Sequence, residues 1–321
     1  MLDVLSMGDV MIDFTPDGIS EKGNLRFERN PGGAPANVAV TVSLLGGESG
    51  FAGAVGNDIF GRFLRATLER YRVDITGLRF TDRAGTRLAF IELDEQGDRH
   101  FAFTKGAVAE TFYTADDLDP AWFSNCRIFH MASTIQYAEP ARTAPQAALT
   151  LARQSGALCS YDPNWNIAVS KDEAEERRVI KDTFTKTDVI KISVEELEFL
   201  LGYGDWERGA REILEMGPQL VAVSLGRRGC YYRTGAAAGR LPAYDVPVRD
   251  TTGAGDAFMG GLLFQLAHAG RWPCELSKEV LDGIFRFANA CGACCAGRRG
   301  GMPSIGGIEE VRACMSRAPL P

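Results

Sequence analysis

The sequence predicts an α/β fold in which helices cover both faces of a mostly parallel sheet and a small β lid stands off that sheet. Short apolar runs rich in β-branched residues alternate with helical segments over most of the chain, which is typical of a parallel sheet buried on both faces. One segment differs. Residues 85–106, GTRLAFIELDEQGDRHFAFTKG, alternate between apolar and polar around a turn at Glu95–Asp98. That pattern is typical of a hairpin, and we expect it to form part of the lid.

The N-terminal part supplies the first strands and helices. The segment VLSMGDVMIDF, residues 4–14, predicts one opening strand. GGAPANVAVTVSLLGG predicts a turn, a helix with apolar residues at helical spacing, and a glycine stop. SGFAGAVG predicts the next strand, and DIFGRFLRATLERY predicts the next helix.

After Tyr113 the alternation of strands and helices resumes. The strand predictions are CRIFHMAS, ALCSYD, TDVIKIS and QLVAVSLG, and the helix predictions are PQAALTLARQSG and VEELEFLLG. No internal repeat and no low-complexity linker divides the chain.

Composition narrows the class of protein. A chain of 321 residues with 45% hydrophobic content can bury a large core. The net charge of −7 argues against a nucleic-acid partner. The eight cysteines are scattered, there is no membrane-spanning apolar run, and acidic residues interrupt the N-terminal segment. We therefore expect a reduced cytoplasmic enzyme without a membrane partner.

The segment RDTTGAGDAFMGG, residues 249–261, predicts an anion-binding site. Glycine permits close approach of a ligand, and the first turn of a helix offers unpaired N–H groups and a partial positive charge. Gly253, Ala254 and Gly255 can therefore form a cup of backbone donors. The common G-x-x-x-x-G-K-[ST] phosphate motif is absent, and Phe258 stands where G-x-G-x-x-G requires its last glycine.

This segment resembles the C-terminal signature D-T-x-G-A-G-D of the PfkB, or ribokinase-like, family of sugar kinases. PGGAPAN, residues 31–37, resembles the N-terminal signature, and AGAVGNDIFGRFL is also similar to the family. Within the family, NPGGAPANVAV, SYDPN and IKISVEELEFLLG are similar to fructokinase segments. The resemblance implies a doubly wound α/β domain with a β lid, which transfers phosphate from ATP with Mg²⁺ to a small sugar.

The resemblance also implies roles for individual residues. Asp256 corresponds to the catalytic base, and Gly253, Ala254 and Gly255, with the Asp256 N–H, correspond to the anion hole. The substrate-binding positions are Asp13, placed at the end of the first strand, with Gly33, Asn37, Phe103 and Lys105.

On the nucleotide side, Ser193 and Glu196 match the family's N-x-x-E motif, with serine in place of the usual asparagine. Glu196 is expected to help hold Mg²⁺-bound water. The remaining nucleotide-binding positions are Ser224, Gly226 and Asn289. Asp250, Thr252 and Ser304 match positions around a monovalent cation, K⁺, in several relatives.

The resemblance implies a single kinase domain over residues 1–321, with a lid formed by insertions at about 15–29 and 86–110. Relatives often pair their lids in dimers, and an exposed hairpin edge permits a homodimer through the lid. His130 lies on an apolar strand, where a core role is expected. The C-x-x-C of Cys291–Cys294 lacks a second pair, so packing is favoured over zinc binding.

The sequence is compatible with more than one sugar. Asn166 stands where kinases of sugar acids such as 2-keto-3-deoxygluconate carry an arginine, and a neutral amide replaces a guanidinium–carboxylate pair poorly. Ala34-Pro35 stands where ribokinases carry a lysine. Fructose is therefore favoured, although Asn166 departs from fructokinases as well.

Two hypotheses outside the active sugar kinases are weaker. A catalytically inactive relative that serves as a binding or regulatory protein would be expected to lack the base or the anion-hole glycines, and both are present. A nicotinamide dehydrogenase would require a dinucleotide fingerprint after the first strand, which GDVMIDF does not provide.

Overall fold

The computed structural model describes residues 1–93, 99–104, 106–165, 170 and 172–317. These residues form a large and a small β-sheet. The strands are β1 (Leu2–Met7), β2 (Met11–Ile19), β3 (Leu25–Gly32), β4 (Ser49–Gly56), β5 (Asp74–Thr81), β6 (Leu88–Leu93), β7 (Arg99–Phe103), β8 (Cys126–Ala132), β9 (Leu158–Asp162), β10 (Val189–Ser193), β11 (Leu220–Ser224), β12 (Cys230–Thr234) and β13 (Ala238–Leu241).

The large sheet is parallel over most of its width. Its order is β13-β12-β11-β10-β9-β8-β1-β4-β5, and only the pairs β11/β12 and β12/β13 are antiparallel. The order changes direction at β1, which has β4 on one side and β8 on the other. In such a sheet the crevice beyond the carboxyl ends of the strands, at this switch point, is the usual ligand site.

Helices cover both faces of the large sheet. They are α1 (Ala34–Leu44), α2 (Ile59–Arg70), α3 (Pro120–Ser124), α4 (Thr143–Gln154), α5 (Glu173–Phe184), α6 (Val194–Leu201), α7 (Trp206–Glu215), α8 (Ala254–Ala269), α9 (Lys278–Ala296), α10 (Gly301–Ser304) and α11 (Ile308–Met315). On β1, Val4 packs in a core with residues of α1, α8 and α9, whereas Leu5 packs in a core with residues of α4 to α7. Neighbouring strand residues thus face opposite helical layers, which confirms the predicted α/β fold.

The prediction of one opening strand over residues 4–14 is wrong. Gly8 separates β1, in the large sheet, from β2, in the small sheet, and its φ of 151° is unfavourable for other residues. A Cβ on Gly8 would lie 2.6 Å from Pro35 Cγ. The chain changes sheets here, so Asp13 lies within β2 and not at the end of the first strand.

The small sheet forms the lid. Its order is β3-β2-β6-β7, in which β2/β3 and β6/β7 are antiparallel and β2/β6 is parallel. The predicted hairpin is confirmed by the pairing of Ala89 with Phe103, while its predicted turn at 95–98 lies outside the described residues. Residues 15–19 continue β2 and residues 25–29 begin β3, so the predicted insertion at 15–29 forms a second hairpin of the lid.

Most predicted elements of the large sheet are confirmed, among them SGFAGAVG as β4 and VEELEFLL as α6. The strands β12 and β13 and the helix α7 were not predicted. Within the described part of the chain, no helix is both long enough and apolar enough to cross a bilayer. A single domain over residues 1–321 stays a prediction.

The break at Gly8 is testable by stability. Gly8→Ala should lower the free energy of unfolding by about 1–3 kcal/mol, because the new methyl group meets Pro35 and the backbone conformation is strained. Gly235→Ala is the matched control, since nothing lies within 4 Å of a Cβ placed there. Urea unfolding measures both variants. Equal stability of the two would contradict this account of the strand break.

Candidate active site

At the switch point of the large sheet, a hydrogen bond joins the segment after β1 to the segment after β8. Thr134, just after β8, donates through Oγ1 to Asp9 Oδ1 over 2.6 Å, and Asp9 directly follows the β1–Gly8 break. Asp9 is buried. This contact fixes one carboxylate at the base of the crevice into which the lid and the helix α8 also project.

The residues of the predicted cup lie at the N-terminus of α8. Gly253 caps the helix in the left-handed region with φ 80°, which places the first turn toward the crevice. The Ala254 N–H donates to Thr251 O over 3.1 Å, so it serves the turn. In the described chain, no acceptor takes the N–H groups of Gly255 and Asp256, so these two donors are available to an anion.

Asn37 holds the side chain of Asp256 in place. Asn37 lies in the first turn of α1 and donates from Nδ2 to Asp256 Oδ2 over 2.8 Å. Asn37 is buried, yet its Oδ1 has no hydrogen-bond partner among the described residues. A buried acceptor without a donor is costly, so this oxygen suits a hydroxyl group of a bound ligand. The two signatures of the sequence therefore meet in space.

Two glycines make room for a third carboxylate. Asp13 on β2 is buried, and a Cβ on Gly32 would lie 2.2 Å from its Oδ2. Gly33 has φ 104°, and a Cβ there would lie 2.5 Å from Asp9 O. Larger residues at either position would displace these aspartates, so the glycines shape the floor of the pocket.

Negative charge accumulates around this pocket. Burial raises the pKa of Asp256 to about 7, with Asp162 and Asp9 raising it and Asn37 and Lys191 lowering it. Burial likewise raises the pKa of Asp13 to about 7, reinforced by Asp9 and Asp256. Each carboxyl group resists ionisation while its neighbours are charged. Proton-accepting groups with a pKa near neutrality are those suited to general base catalysis.

One buried cation lies among these acids. Lys191 on β10 forms an ion pair with Asp162, at the end of β9, with 2.8 Å between Nζ and Oδ2. Both side chains are almost fully buried, at 7% and 2% exposure. A Cβ on Gly255 would lie 3.2 Å from Lys191 Nζ, so the ammonium group sits directly against the cup.

A cleft of about 590 Å³ leads from the cup along α8 and α9. It brings together four of the predicted nucleotide-binding residues, namely Ser193, Ser224, Gly226 and Asn289. Tyr244 and Val246 form an apolar wall, and Gly226 takes the left-handed φ of 57°. Asn289 donates to Pro242 O over 3.0 Å, so it also fixes the loop that forms this wall.

Glu196 is buried and does not line this cleft. Its Oε2 accepts the Ser193 N–H over 2.7 Å, and its Oε1 accepts the Trp165 N–H over 2.8 Å. The Ser193 hydroxyl accepts the Glu196 N–H in return, which completes a capping box at the start of α6. In the structure Glu196 therefore joins the segment after β9 to the start of α6. Its assignment to Mg²⁺-bound water stays a prediction.

The predicted monovalent cation residues lie around the loop before α8. Asp250 accepts the N–H of Thr252 over 2.7 Å and the N–H of Gly300 over 3.1 Å. The Ser304 hydroxyl donates to Gly301 O over 2.7 Å. The described ranges contain no group of three or more histidine, cysteine, aspartate or glutamate residues that could hold a metal. The cation site stays a prediction.

Other predicted residues have mixed outcomes. Phe103 is half-buried on β7 of the lid, whereas Lys105 and Asn166 lie outside the described residues. His130 is a core residue as predicted: burial lowers its pKa to about 3, and its Nδ1 lies 3.1 Å from Ser160 Oγ. Cys291 packs in the core of α9. A second cavity of about 630 Å³, between α4 and α5, shares no lining residue with the cleft beside α8.

Comparison with known proteins agrees with this geometry. The model of the pfkB family carbohydrate kinases matches residues 1–305. The chain belongs to this family. Fructokinase-1 of Zea mays is 39% identical over 320 residues, which cover 98% of each protein.

Two solved structures resemble this pfkB kinase over 98% of each chain. Fructokinase from Xylella fastidiosa with bound ATP has a TM-score of 0.90 at 29% identity. Fructokinase from Vibrio cholerae O395, bound to fructose, ADP and calcium ion, has a TM-score of 0.89 at 34% identity. These neighbours confirm the ribokinase-like fold class with its second small sheet.

Sequence reasoning missed three charged residues of this pfkB kinase site: Asp9, Asp162 and Lys191. Asp162 is the last residue of the predicted strand ALCSYD, and side chains at the carboxyl ends of parallel strands converge. That position was the available signal for Asp162. Asp9 lies inside the predicted strand over residues 4–14 and Lys191 lies inside the predicted strand TDVIKIS, so neither residue had this signal. The pairing of Lys191 with Asp162 had no signal in the sequence, because it depends on β9 and β10 being neighbours in the sheet.

Proposed function

We propose that the protein is an ATP-dependent fructokinase. The observation that carries the proposal is the contact between the two signatures, in which Asn37 of α1 holds Asp256 beside the available N–H groups of α8. The contact supports the proposal because phosphoryl transfer to a hydroxyl group requires a proton acceptor next to an anion-binding site. The similarity to fructokinases over nearly the whole chain supports fructose as the acceptor.

In this proposal Asp256 accepts the proton of the attacking sugar hydroxyl. That oxygen bonds to the γ-phosphorus of ATP, the bond from the γ-phosphorus to the β,γ-bridging oxygen breaks, and ADP leaves. The Gly255 and Asp256 N–H groups stabilise charge on the phosphoryl oxygens without reorganising. The crowded carboxylates give Asp256 a high proton affinity, which favours the transfer.

Asp13 and Asn37 are proposed to hold the sugar. The carboxylate of Asp13 can accept hydroxyl hydrogen bonds, and the unpartnered Oδ1 of Asn37 can accept another. Gly33 permits their close approach, and Phe103 on β7 is proposed to cover the sugar. A neutral polyol fits this acidic pocket, whereas a sugar carboxylate would add charge to it.

Mg²⁺, when bound, neutralises phosphate charge, and Glu196 remains the residue proposed to orient its water. Ser193, Ser224, Gly226 and Asn289 are proposed to contact the nucleotide, because they line the cleft that begins at the cup. We also retain the proposal of K⁺ near Asp250, Thr252 and Ser304, where backbone carbonyls would provide most of the ligands.

The lid is proposed to pair two copies of the chain. Its sheet exposes apolar side chains at Ile19, Leu25, Phe27 and Phe90. Phe90 stacks on Phe14 with 4.9 Å between ring centroids, which forms a continuous aromatic surface with Phe27. Burial of such a surface favours association.

The cysteines are free thiols, consistent with the proposed cytoplasmic location.

Replacement of the base tests the mechanism. Asp256→Asn should lower kcat by about 10²–10⁴-fold, because the amide cannot accept the hydroxyl proton. A coupled ADP-release assay measures the loss. A kcat near that of the wild type on the best sugar would contradict the assignment.

Stability provides the control for this variant. The folded pKa of Asp256 is raised from 3.8 to about 7, so stability falls with increasing pH over that window as the buried group ionises. At pH 8 Asp256→Asn should therefore unfold at the same or a higher temperature than the wild type. A lower Tm would indicate that lost activity reflects damage to the fold.

The sugar is tested with a panel of acceptors. With MgATP, fructose should give the highest kcat/KM among fructose, ribose, 2-keto-3-deoxygluconate, tagatose, glucose and nucleosides. A value for fructose more than about tenfold below that of another sugar, a gap of about 1.4 kcal/mol, would overturn the choice of fructose. Activity on another sugar would retain the kinase proposal.

A further inference from the structure

We propose that Arg87 is a specificity-determining residue of the sugar pocket, whose guanidinium group donates hydrogen bonds to hydroxyl groups of a neutral acceptor. The inference rests on the proposed kinase function and deepens it, because it concerns how the acceptor is selected. Arg87 belongs to neither sequence signature and directly precedes β6 of the lid.

The register of the lid places Arg87 over the crevice. The Ile12 N–H donates to Arg87 O over 3.1 Å, so the pairing of β2 with β6 extends to Arg87. Ala89 pairs with Asp13 on one side and with Phe103 on the other, and side chains two residues apart along a strand share a face. Arg87 therefore lies on the same face of the lid as Asp13 and Phe103, the two lid residues already proposed to contact the sugar.

Glu110 holds the guanidinium group at that face. It lies in a short 3₁₀ helix, Ala109–Phe112, and its Oε1 accepts the Nε–H of Arg87. The side chains of Arg87 and Glu110 are 13% and 1% exposed. In the described part of the chain, no acceptor takes the terminal N–H groups of Arg87, and the buried Oε2 of Glu110 has no hydrogen-bond partner. A sugar hydroxyl group, which both donates and accepts, matches this combination of unpaired donors and an unpaired acceptor.

Asp9 places the guanidinium group near the reacting end of the pocket. Burial acts to lower the pKa of Arg87, whereas Glu110 and Asp9 raise it, and the net shift is upward. Burial raises the pKa of Asp13 and of Asp256, and Asp9 adds to the rise in both. Arg87 and these two carboxyl groups therefore have Asp9 as a common neighbour, and Arg87 stays a cation throughout the working pH range.

The charge balance selects a neutral acceptor. One guanidinium group faces the carboxyl groups of Glu110 and Asp9, so it has no surplus positive charge to offer a sugar carboxylate. Binding of a hydroxyl group requires only N–H donors, and the guanidinium group offers several of them in one plane. A neutral sugar with adjacent hydroxyl groups is therefore the class of acceptor that this arrangement favours.

A purely structural ion pair is the competing explanation, because Arg87 and Glu110 also join the lid to the segment after β7. Arg87→Lys keeps the positive charge beside Glu110 and loses the planar set of donors. A structural role predicts that this variant restores activity toward every acceptor. A contact with the acceptor instead predicts a loss that depends on which hydroxyl groups the acceptor carries.

The experiment compares Arg87→Gln and Arg87→Lys with the wild type in the ADP-release assay, using MgATP with fructose and with monodeoxy analogues of fructose. Each analogue lacks one hydroxyl group other than the one that is phosphorylated. With fructose, Arg87→Gln should lower kcat/KM by about 10–100-fold, mostly through KM, the usual loss of a hydrogen bond from a charged donor. With the analogue that lacks the contacted hydroxyl group, the loss should be less than about threefold. Arg87→Lys should show the same dependence on the analogue.

Arg65→Gln is the matched control, because it breaks an exposed pair with Glu69 within α2. It should leave kcat/KM within about twofold of the wild type, since exposed ion pairs contribute little.

The proposal is overturned if Arg87→Gln lowers kcat/KM by the same factor for fructose and every analogue, if its KM is unchanged, or if Arg87→Lys restores the values of the wild type. Arg87→Lys keeps the buried charge and decides the question if Arg87→Gln does not fold. The rise in Tm on addition of fructose without ATP provides a readout independent of catalysis. It should be smaller in both variants than in the wild type, and an equal rise would contradict the proposal. If the wild type releases no ADP with any sugar, the proposed function fails, whereas the rise in Tm still tests Arg87.

Discussion

The proposed catalysis requires a carboxylate that accepts a proton next to phosphate groups, and the rest of the site is arranged around that constraint. Asp256 lies at the N-terminus of α8, where the helix provides N–H donors, yet other buried acids surround it. Burial and those acids raise its pKa, whereas Asn37 and Lys191 lower it. At the resulting pKa of about 7, Asp256 binds a proton strongly, and a large part of the carboxyl group is still ionised near neutral pH.

The fold brings these opposing groups together from distant parts of the chain. The carboxyl ends of β1, β9 and β10 deliver Asp9, Asp162 and Lys191 to one edge of the large sheet. Gly8 then redirects the chain into the lid, so that Asp13 returns over the same crevice on β2. The helices α1 and α8, which pack against one another, carry Asn37 and Asp256 into hydrogen-bond contact.

Local patterns predicted much of this arrangement. The strand and helix alternation indicated the large sheet, and the alternation around residues 95–98 indicated the lid. The two signatures located Asn37 and Asp256 before any contact was known. The sequence does not show which strands are neighbours in the sheet. The pairing of Lys191 with Asp162 could not be predicted for that reason, because it depends on the adjacency of β9 and β10. The break at Gly8 was missed because an apolar run on both sides of one glycine is indistinguishable from a single strand.

The contacts of Glu196 likewise could not be predicted from the sequence. A motif identifies the acid, but its contacts with the backbone of Ser193 and Trp165 appear only when the segment after β9 is placed against α6. In the structure Glu196 therefore caps α6, and its role toward Mg²⁺-bound water stays a proposal.

The central claim, that a partly protonated Asp256 is the base, is tested most directly by the pH dependence of kcat/KM for fructose at saturating MgATP. The pKa of Asp256 is raised from 3.8 to about 7, so the carboxylate needed for catalysis is depleted below pH 7. The account predicts a plateau above about pH 8 and a fall of about tenfold per pH unit on the acid side. A rate that stays constant from pH 5.5 to 8, with the protein folded throughout, would contradict it.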